Sequence, residues 1–247
     1  MTRVALLLAV LCASSVQAAE LVVLSGNGAR SAVAELAKRF EQSSGHSVEV
    51  RFAVNPEVKR RIEGGEAFDV AVLNPPVLDY LIREKKVVGE TRAVLGRAGI
   101  GVGVKAGGPL PDLSSVDAFK RTLLSARSVA YPGEGASGKY FVSVVERLGI
   151  MADMKPRLRP MPAEYNVEGV ANGEFDMVVV VALRIAGVPG VQFAGGIPRE
   201  LQTWIGFTAG VATQAKSPDA ARALVRYLVS PAAEPVLRAA GVEPFVE

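Results

Sequence analysis

The sequence predicts an α/β protein with two lobes, each containing a parallel-type sheet, and a hinge between them. The chain has 247 residues, of which 49% are hydrophobic, so it can bury a sizeable core. Apolar, strand-like runs alternate with helix-like stretches over residues 21–73, and a second such unit begins near Gly99. Neither a long linker nor an internal repeat is apparent, so we expect the two units to share a cleft.

The first unit has the β-α-β-α-β order that is typical of an open parallel sheet. Leu21–Leu24 is a continuous apolar run, and the helix after it is predicted to end at Gly45. Val48–Phe52 alternates as a partly exposed strand does, and Asn55–Pro56 marks the start of a helix. Asp69–Leu73 completes the unit as its third strand.

The second unit contains further strands and helices, and the chain ends in two helices. Its predicted elements are strands at Ile100–Val104, Val129–Tyr131 and Met177–Val181, a helix at Ser115–Leu124, and a glycine-rich loop at Pro132–Gly138 that is followed by a helix. A strand is predicted at Phe207–Ala212. The next helix is predicted to begin at Ser217–Pro218, and the last helix to run from Ser230–Pro231 to Gly241.

Residues 1–18 have the pattern of a cleaved secretory signal peptide. Arg3 supplies a positive charge, Val4–Ala13 is an apolar segment too short to cross a bilayer, and small residues precede a cleavage point after Ala18. Cys12, the one cysteine of the chain, lies inside this segment, so the mature protein is expected to contain neither a disulfide nor a catalytic thiol. We therefore expect an exported protein, located in the periplasm if the source is Gram-negative.

The charge and aromatic content of the chain disfavour nucleic acid as a partner. The formal net charge is only +3, and aromatic residues make up 6% of the sequence, which is few for stacking against bases. The densest basic run, Lys59–Arg61, follows an apolar strand and is interpreted as a solvated helix face. No later segment has about 18 uninterrupted apolar residues, so no membrane span is expected after the signal peptide.

The order and spacing of several segments resemble the periplasmic substrate-binding proteins of ABC transporters, in their type II topology and nearest the molybdate-binding branch. The similarity covers nearly all of the mature chain, through residues 21–28, 52–56, 65–70, 132–140 and 230–241. The resemblance implies one lobe of residues 19–98 plus 207–247 and a second lobe of residues 99–206. It also implies a small anionic ligand, an inner-membrane ABC permease as partner, a monomeric state and no cofactor.

Ligands are expected at the carboxyl ends of the strands, where the helices that follow begin. A helix N-terminus presents unpaired backbone N–H groups and a partial positive charge, so it can hold an anion without a basic side chain. Four strand-to-helix turns fit this role, at residues 25–30, 54–56, 134–139 and 165–167. The candidate ligand contacts in these turns are Ser25, Asn27, Gly28, Arg30, Asn55, Ser137, Gly138, Tyr165 and Asn166.

Compared with the molybdate-binding pattern, this sequence lacks two hydroxyl donors. The resemblance implies a serine where Gly28 stands and a tyrosine where Val181 stands, and neither residue here has a side-chain donor. The other contacts of the pattern fall on Asn55, Ser137 and Asn166. We therefore expect this protein to bind molybdate more weakly than a family member does, or to prefer a different anion.

Three basic residues near the candidate turns, Arg30, Lys139 and Arg184, are interpreted as solvated. Arg30 is nevertheless kept among the candidate contacts, because it can donate to a larger, carboxylate-like ligand. If two of the three residues enter the cleft, an organic carboxylate or phosphonate is favoured over a bare oxyanion.

The sequence offers little support for catalysis. His46, the only histidine, follows the helix-ending Gly45 and is predicted to lie on the surface, with no nucleophile motif nearby. Asp69 and Asp176 each precede an apolar strand and are interpreted as turn or cap residues. No catalytic residue and no metal ligand is assigned, since the mature sequence has no cysteine and no histidine pair.

These observations favour a solute receptor of an ABC importer that binds a small, molybdate-like oxyanion between two lobes. Two alternatives remain open on the same fold, namely an organic carboxylate as ligand or a periplasmic sensor that presents its ligand to a membrane receptor. An exported α/β hydrolase is less favoured, because the nucleophile motif is missing from the sequence.

Overall fold

The computed structural model describes residues 18–162 and 167–243, so residues 1–17 of the predicted signal peptide, with Cys12, lie outside the described residues. The strands are β1 (Glu20–Gly26), β2 (Ser47–Ala53), β3 (Val70–Leu73), β4 (Ala93–Lys105), β5 (Val129–Pro132), β6 (Leu158–Met161), β7 (Met177–Val181), β8 (Val191–Gly196) and β9 (Trp204–Val211). The helices are α1 (Arg30–Ser44), α2 (Asn55–Glu63), α3 (Pro75–Arg83), α4 (Val116–Ser125), α5 (Ala136–Arg147), α6 (Met151–Met154), α7 (Pro218–Leu228) and α8 (Glu234–Ala239). Among the helices of these described residues, none is both long enough and apolar enough to cross a membrane.

In the described part of the chain, nine strands form one sheet in the order β2-β1-β3-β9-β4-β7-β5-β6, with β8 paired to β4. β1 runs parallel to β2 and β3, and β5 runs parallel to β6 and β7, as the two α/β units predict. β4 and β9 are antiparallel to their neighbours. The sheet is therefore mixed at its centre, because these two strands carry the chain from one unit to the other and back.

β4 is a strand of 13 residues that joins the two units. Its first part, Ala93–Gly99, pairs with β9, and the residues that follow pair with β7. The side-chain amide of Gln202 stabilises this change of partner, because it accepts a bond from the Ile100 N–H at 2.7 Å and donates to the Ile100 carbonyl at 3.0 Å. The change of partner lies beside Gly99, near which the sequence predicts that the second unit begins.

We propose that the lobes divide at these crossing strands. The first lobe then comprises residues 19–98 and 207–247, and the second comprises residues 99–206. The C-terminal helices pack on the first lobe, where α7 lies against α1 and the Tyr227 ring is 5.6 Å from the Phe40 ring. The second lobe buries a separate cluster beneath α4 and α5.

Two element boundaries differ from the sequence prediction. The last helix, predicted to begin at Ser230–Pro231, begins at Glu234, because the Ala233 N–H first closes a turn with the Ser230 carbonyl. The strand predicted at Ile100–Val104 is only the second half of β4, whose first half contains two glycines and an arginine and so lacks a continuous apolar run. The sequence patterns did not indicate α3, β6 or β8.

Candidate functional site

A cavity of about 70 Å³ lies where β1, β2, β3 and β5 end and the segments that follow them begin. Its lining in the described residues is Asn27, Gly28, Val54, Asn55, Asn74, Pro132, Gly135, Ala136, Ser137, Pro162, Val167, Val178, Val180, Val181, Arg184 and Ile205. Both proposed lobes contribute to this lining.

The turn after β1 places Asn27 and Gly28 on one side of the cavity. Both residues belong to a short 3-10 helix, Asn27–Ala29, that leads into α1. Asn27 is 8% exposed, and its side-chain oxygen accepts a hydrogen bond from Nη2 of Arg30 at 2.8 Å. Gly28 contributes only its backbone, because it has no side chain.

Two Asn-Pro steps form the neighbouring side of the cavity. Asn55 is the first residue of α2, Asn74 is the N-cap residue of α3, and a proline follows each of them. The Asn55 side chain accepts from the Asn74 backbone N–H at 2.9 Å, while the Asn74 amide nitrogen donates to the Gly206 carbonyl at 2.7 Å. Because a backbone N–H can only donate, the Asn55 atom that it meets is the oxygen. The –NH2 group of Asn55 is therefore the part of its amide that can donate to a ligand.

The N-terminus of α5 forms a further side of the cavity. Gly135 is the N-cap residue, and Ser137 in the first turn is 5% exposed. The first N–H groups of a helix have no acceptor within the helix, so this end supplies donors and a partial positive charge. The helix end packs closely on β5, because a Cβ on Gly138 would lie 1.7 Å from the Pro132 carbonyl oxygen. Gly138 thus fixes the position of the helix end and is not itself part of the lining.

Arg184 brings a positive charge to the cavity from the second lobe. It ends a short 3-10 helix directly after β7, and its Nη1 donates to the Asn27 carbonyl at 3.2 Å. Burial lowers the pKa of the Arg184 guanidinium, and the nearby charge of Arg30 lowers it further, while Glu168 acts in the opposite direction. Arg30 itself lies over the Phe52 ring at 4.5 Å. The prediction that Arg30 and Arg184 are solvated is wrong, because both side chains gather around Asn27.

The rest of the lining is largely aliphatic. Its branched side chains are those of Val54, Val167, Val178, Val180, Val181 and Ile205. All five residues of β7 are buried, and this strand is paired on both sides, so its valines form a fixed surface. The cavity therefore has a polar side, with amide, hydroxyl and guanidinium groups, and an aliphatic side.

A family model for bacterial extracellular solute-binding proteins matches residues 21–243. The chain belongs to this family. An aconitate isomerase of a Pseudomonas species is 32% identical over 230 residues, which cover 91% of this chain and 87% of that protein. The molybdate-binding protein ModA of Azotobacter vinelandii is 25% identical over 239 residues, which cover 94% of this chain and 92% of that protein.

A solved structure supports the same placement of this solute-binding protein. The periplasmic molybdate-binding protein of Azotobacter vinelandii superimposes with a TM-score of 0.78 at 18% identity, covering 92% of this chain and 100% of that chain. At this identity the likeness shows the fold, which is the two-lobed fold of periplasmic binding proteins. The resemblance to type II, molybdate-binding-like proteins is therefore confirmed.

The structure brings together four of the predicted ligand contacts of this solute-binding protein, namely Asn27, Gly28, Asn55 and Ser137. Three others lie beside the cavity and not in its lining. They are Ser25, whose buried hydroxyl donates to the Gly26 carbonyl at 3.2 Å, Arg30, which lines an adjacent cavity together with Arg184, and Gly138. The predicted contacts Tyr165 and Asn166 lie outside the described residues.

Sequence reasoning missed Asn74, interpreted Arg184 as solvated although it lines the cavity, and was correct about Lys139. Asn74–Pro75 repeats the strand-Asn-Pro-helix pattern of Asn55–Pro56, and that pattern could have identified Asn74. No local pattern marks Arg184, because its place depends on how β7 pairs within the sheet. Lys139 is exposed, as predicted.

His46 is a buried structural residue, so the prediction that it lies on the surface is wrong. It is 9% exposed, its Nδ1 accepts from the Ala19 N–H at 3.1 Å, and its ring lies 5.9 Å from the Phe40 ring. The chain segment at the start of β1 covers it, which a local sequence pattern does not indicate.

Asp69 and Asp176 each accept hydrogen bonds from backbone N–H groups of other segments, so both have structural roles. Asp69 accepts from the Val22 N–H at 2.9 Å and from the Lys216 N–H at 2.8 Å, so it ties β1 to the segment before α7. Asp176 pairs with Arg127 at 2.8 Å. Within residues 18–162 and 167–243, no group of three His, Cys, Asp or Glu side chains is placed to hold a metal ion.

Proposed function

We propose that this protein is an exported receptor that binds a small anion in the cavity between its lobes and delivers it to an ABC permease. The observation that carries the proposal is a convergence of donors, because the starts of α2 and α5, the Asn55 amide and the Arg184 guanidinium border one cavity. Membership of the solute-binding family supports the role of receptor. The signal-peptide pattern of residues 1–18 supports export.

The arrangement suits an anion for electrostatic reasons. Each helix N-terminus contributes about half a positive charge, and Arg184 adds a whole charge beside them. A hydrogen bond to a charged group contributes about 1.5–3 kcal/mol, so several such bonds can replace the hydration that an anion loses in the cavity. The planar fork of an arginine side chain also matches the geometry of a carboxylate or a phosphate group.

The test compares Arg184→Met with Arg199→Met. Both arginines lie in short 3-10 helices, but Arg199 is exposed and does not line the cavity, so it is a matched control. Thermal shift and calorimetry would use citrate, tricarballylate, trans-aconitate, phosphate, sulfate and molybdate as probes. We expect at least one probe to bind, and Arg184→Met to weaken its binding by about 10- to 150-fold. Binding of none of the probes, or unchanged binding by Arg184→Met, would contradict the proposal.

A second candidate function is the isomerisation of an unsaturated carboxylate in the same cavity. The 32% identity to an aconitate isomerase over 91% of the chain favours it. The purified protein would be incubated with trans-aconitate and followed by proton NMR, with Arg184→Met as the cavity control. Formation of cis-aconitate at a rate proportional to protein concentration supports catalysis, whereas saturable binding without conversion supports a receptor alone.

A further inference from the structure

The shape and polarity of the cavity indicate which class of anion it takes. Resting on the proposed receptor function, we propose that the ligand is an organic carboxylate whose hydrocarbon part packs against an aliphatic wall, and that Gly28, Val181 and Phe207 together exclude tetrahedral oxyanions. The aliphatic wall consists of Val178, Val180, Val181 and Ile205.

The aliphatic wall cannot rearrange to present polar groups. Three of its residues belong to β7, which is paired with β4 on one side and with β5 on the other. Val178, Val180 and Val181 are each 3% exposed or less, so they are held by the surrounding core. None of the four side chains of the wall can donate a hydrogen bond.

A side chain at position 28 would be crowded by the Phe207 ring. A Cβ on this residue would lie 3.0 Å from Cε1 of Phe207, 3.5 Å from its Cζ and 3.8 Å from Cγ1 of Val181. Phe207 is 4% exposed and belongs to the main core, so its ring cannot move away easily. A serine at position 28 therefore requires the ring to shift, and this part of the site offers backbone and apolar atoms only.

A tetrahedral oxyanion fits poorly into such a cavity. Its four oxygens point in all directions, so at least one of them must face the aliphatic wall and give up hydration without gaining a donor. A missing hydrogen bond to a charged group reduces affinity by about 10- to 150-fold. Gly28 and Val181 both line the cavity and offer no side-chain donor, so two oxygens that face them would lack such partners, and the expected penalty is on the order of 100-fold or more.

An organic carboxylate matches both sides of the cavity at once. Its charged groups can face Asn27, Asn55, Ser137 and Arg184, while its carbon atoms contact the aliphatic wall. Each buried CH2 group adds a favourable hydrophobic contribution that an inorganic anion cannot provide. The same wall that penalises an oxyanion therefore favours a carboxylate.

The selectivity of the unmodified protein is the first test. Calorimetry would compare citrate, tricarballylate and trans-aconitate with sulfate and molybdate under identical conditions. We expect the best carboxylate to bind at least about 100-fold more tightly than either oxyanion. If sulfate or molybdate binds as tightly as the carboxylates, the inference is overturned while the receptor function stands. If no probe of either class binds, the receptor function itself is overturned.

Val181→Thr is the second test, because it keeps the shape of the side chain and adds one hydroxyl donor to the wall. We expect the ratio of carboxylate to oxyanion affinity to fall by about tenfold or more. Val229→Thr makes the same chemical change at an exposed position outside the cavity and should leave the ratio unchanged. An unchanged ratio in Val181→Thr would overturn the role of this residue in specificity.

The third test compares Gly28→Ser alone with Gly28→Ser combined with Phe207→Leu. This test of the proposal does not depend on Val181. Alone, Gly28→Ser meets the Phe207 ring, so we expect weaker binding of every probe. In the double variant with Phe207→Leu, the smaller side chain makes room for the serine hydroxyl. The affinity for oxyanions should then rise about tenfold relative to Gly28→Ser alone. Equal oxyanion affinity in the two variants would overturn the proposed role of Phe207.

Discussion

Asn55→Asp separates the contribution of one side chain to ligand binding from its contribution to folding. The exchange keeps the oxygen that accepts from the Asn74 N–H at 2.9 Å and replaces only the –NH2 group. At the first residue of α2, a carboxylate also interacts favourably with the helix dipole, by about 0.3–1 kcal/mol. We therefore expect the free energy of unfolding without ligand to stay the same or to rise by that amount.

The same substitution should abolish tight binding of an anion. It places a negative charge on the cavity lining and removes a donor. Two unit charges about 4 Å apart repel each other by about 4 kcal/mol at an effective dielectric constant of 20. This repulsion corresponds to a loss of affinity of about three orders of magnitude.

The assay combines urea unfolding without ligand and calorimetry with the probe that binds the wild type most tightly. Asn172→Asp changes the net charge equally at an exposed position and should leave both measurements unchanged. Asn55→Ala, in contrast, deprives the Asn74 N–H of its acceptor and should destabilise the fold by about 1–3 kcal/mol. If Asn55→Asp binds the anion as tightly as the wild type, or unfolds as easily as Asn55→Ala, the reasoning is refuted.

Two further predictions concern stability. Gly138→Ala would place its Cβ 1.7 Å from the Pro132 carbonyl oxygen, so urea unfolding should show a loss of about 1–3 kcal/mol or more, whereas Gly108→Ala, with its nearest contact at 3.5 Å, should change little. The side-chain hydrogen bond from Arg127 holds the pKa of Asp176 below its usual value. The ionised carboxylate therefore stabilises the fold at pH values above the pKa of Asp176 in the unfolded chain. This contribution is lost as the pH falls through the lower pKa of the folded state. Thermal unfolding should therefore show Asp176→Asn to be destabilised at pH 7, with the difference from the wild type shrinking as the pH falls below the usual pKa of an Asp side chain. A difference between Asp176→Asn and the wild type that is independent of pH would contradict the role of the ion pair.

The parts of the fold that the sequence predicts well are those whose environment is uniform along the chain. Met177–Val181 is recognisable because a strand covered on both faces is apolar at every position, and all five of its residues are buried. Val191–Gly196 was missed because it is only partly buried and ends in two glycines, so it has neither a continuous apolar run nor an alternating pattern. Leu158–Met161 was missed for a related reason, since its two central residues are exposed and one is a proline.

The candidate site shows the same distinction between local and non-local information. Asn55 and Ser137 lie at helix starts that are marked by Asn-Pro and by a glycine-rich loop, so local patterns predict them. The positions of Arg184 and Phe207 depend on strand pairing between segments far apart in the chain. The charge of the cavity and the limited space beside Gly28 could therefore be identified only from the structure.

The donors around the cavity come from both proposed lobes, so we expect ligand binding to favour closing of the cleft. Asn27 and Asn55 belong to the first lobe, and Ser137 and Arg184 belong to the second. The hydrogen bond of 3.2 Å from Arg184 to the Asn27 carbonyl joins the two. In an open arrangement, an anion would contact one lobe alone and meet only half of these donors. Its affinity would therefore be lower there than in a closed arrangement, in which both lobes contact it. Such a difference in affinity would shift the population towards closure, and we expect a ligand with carboxylates directed at both lobes to shift it further than an anion that one lobe satisfies.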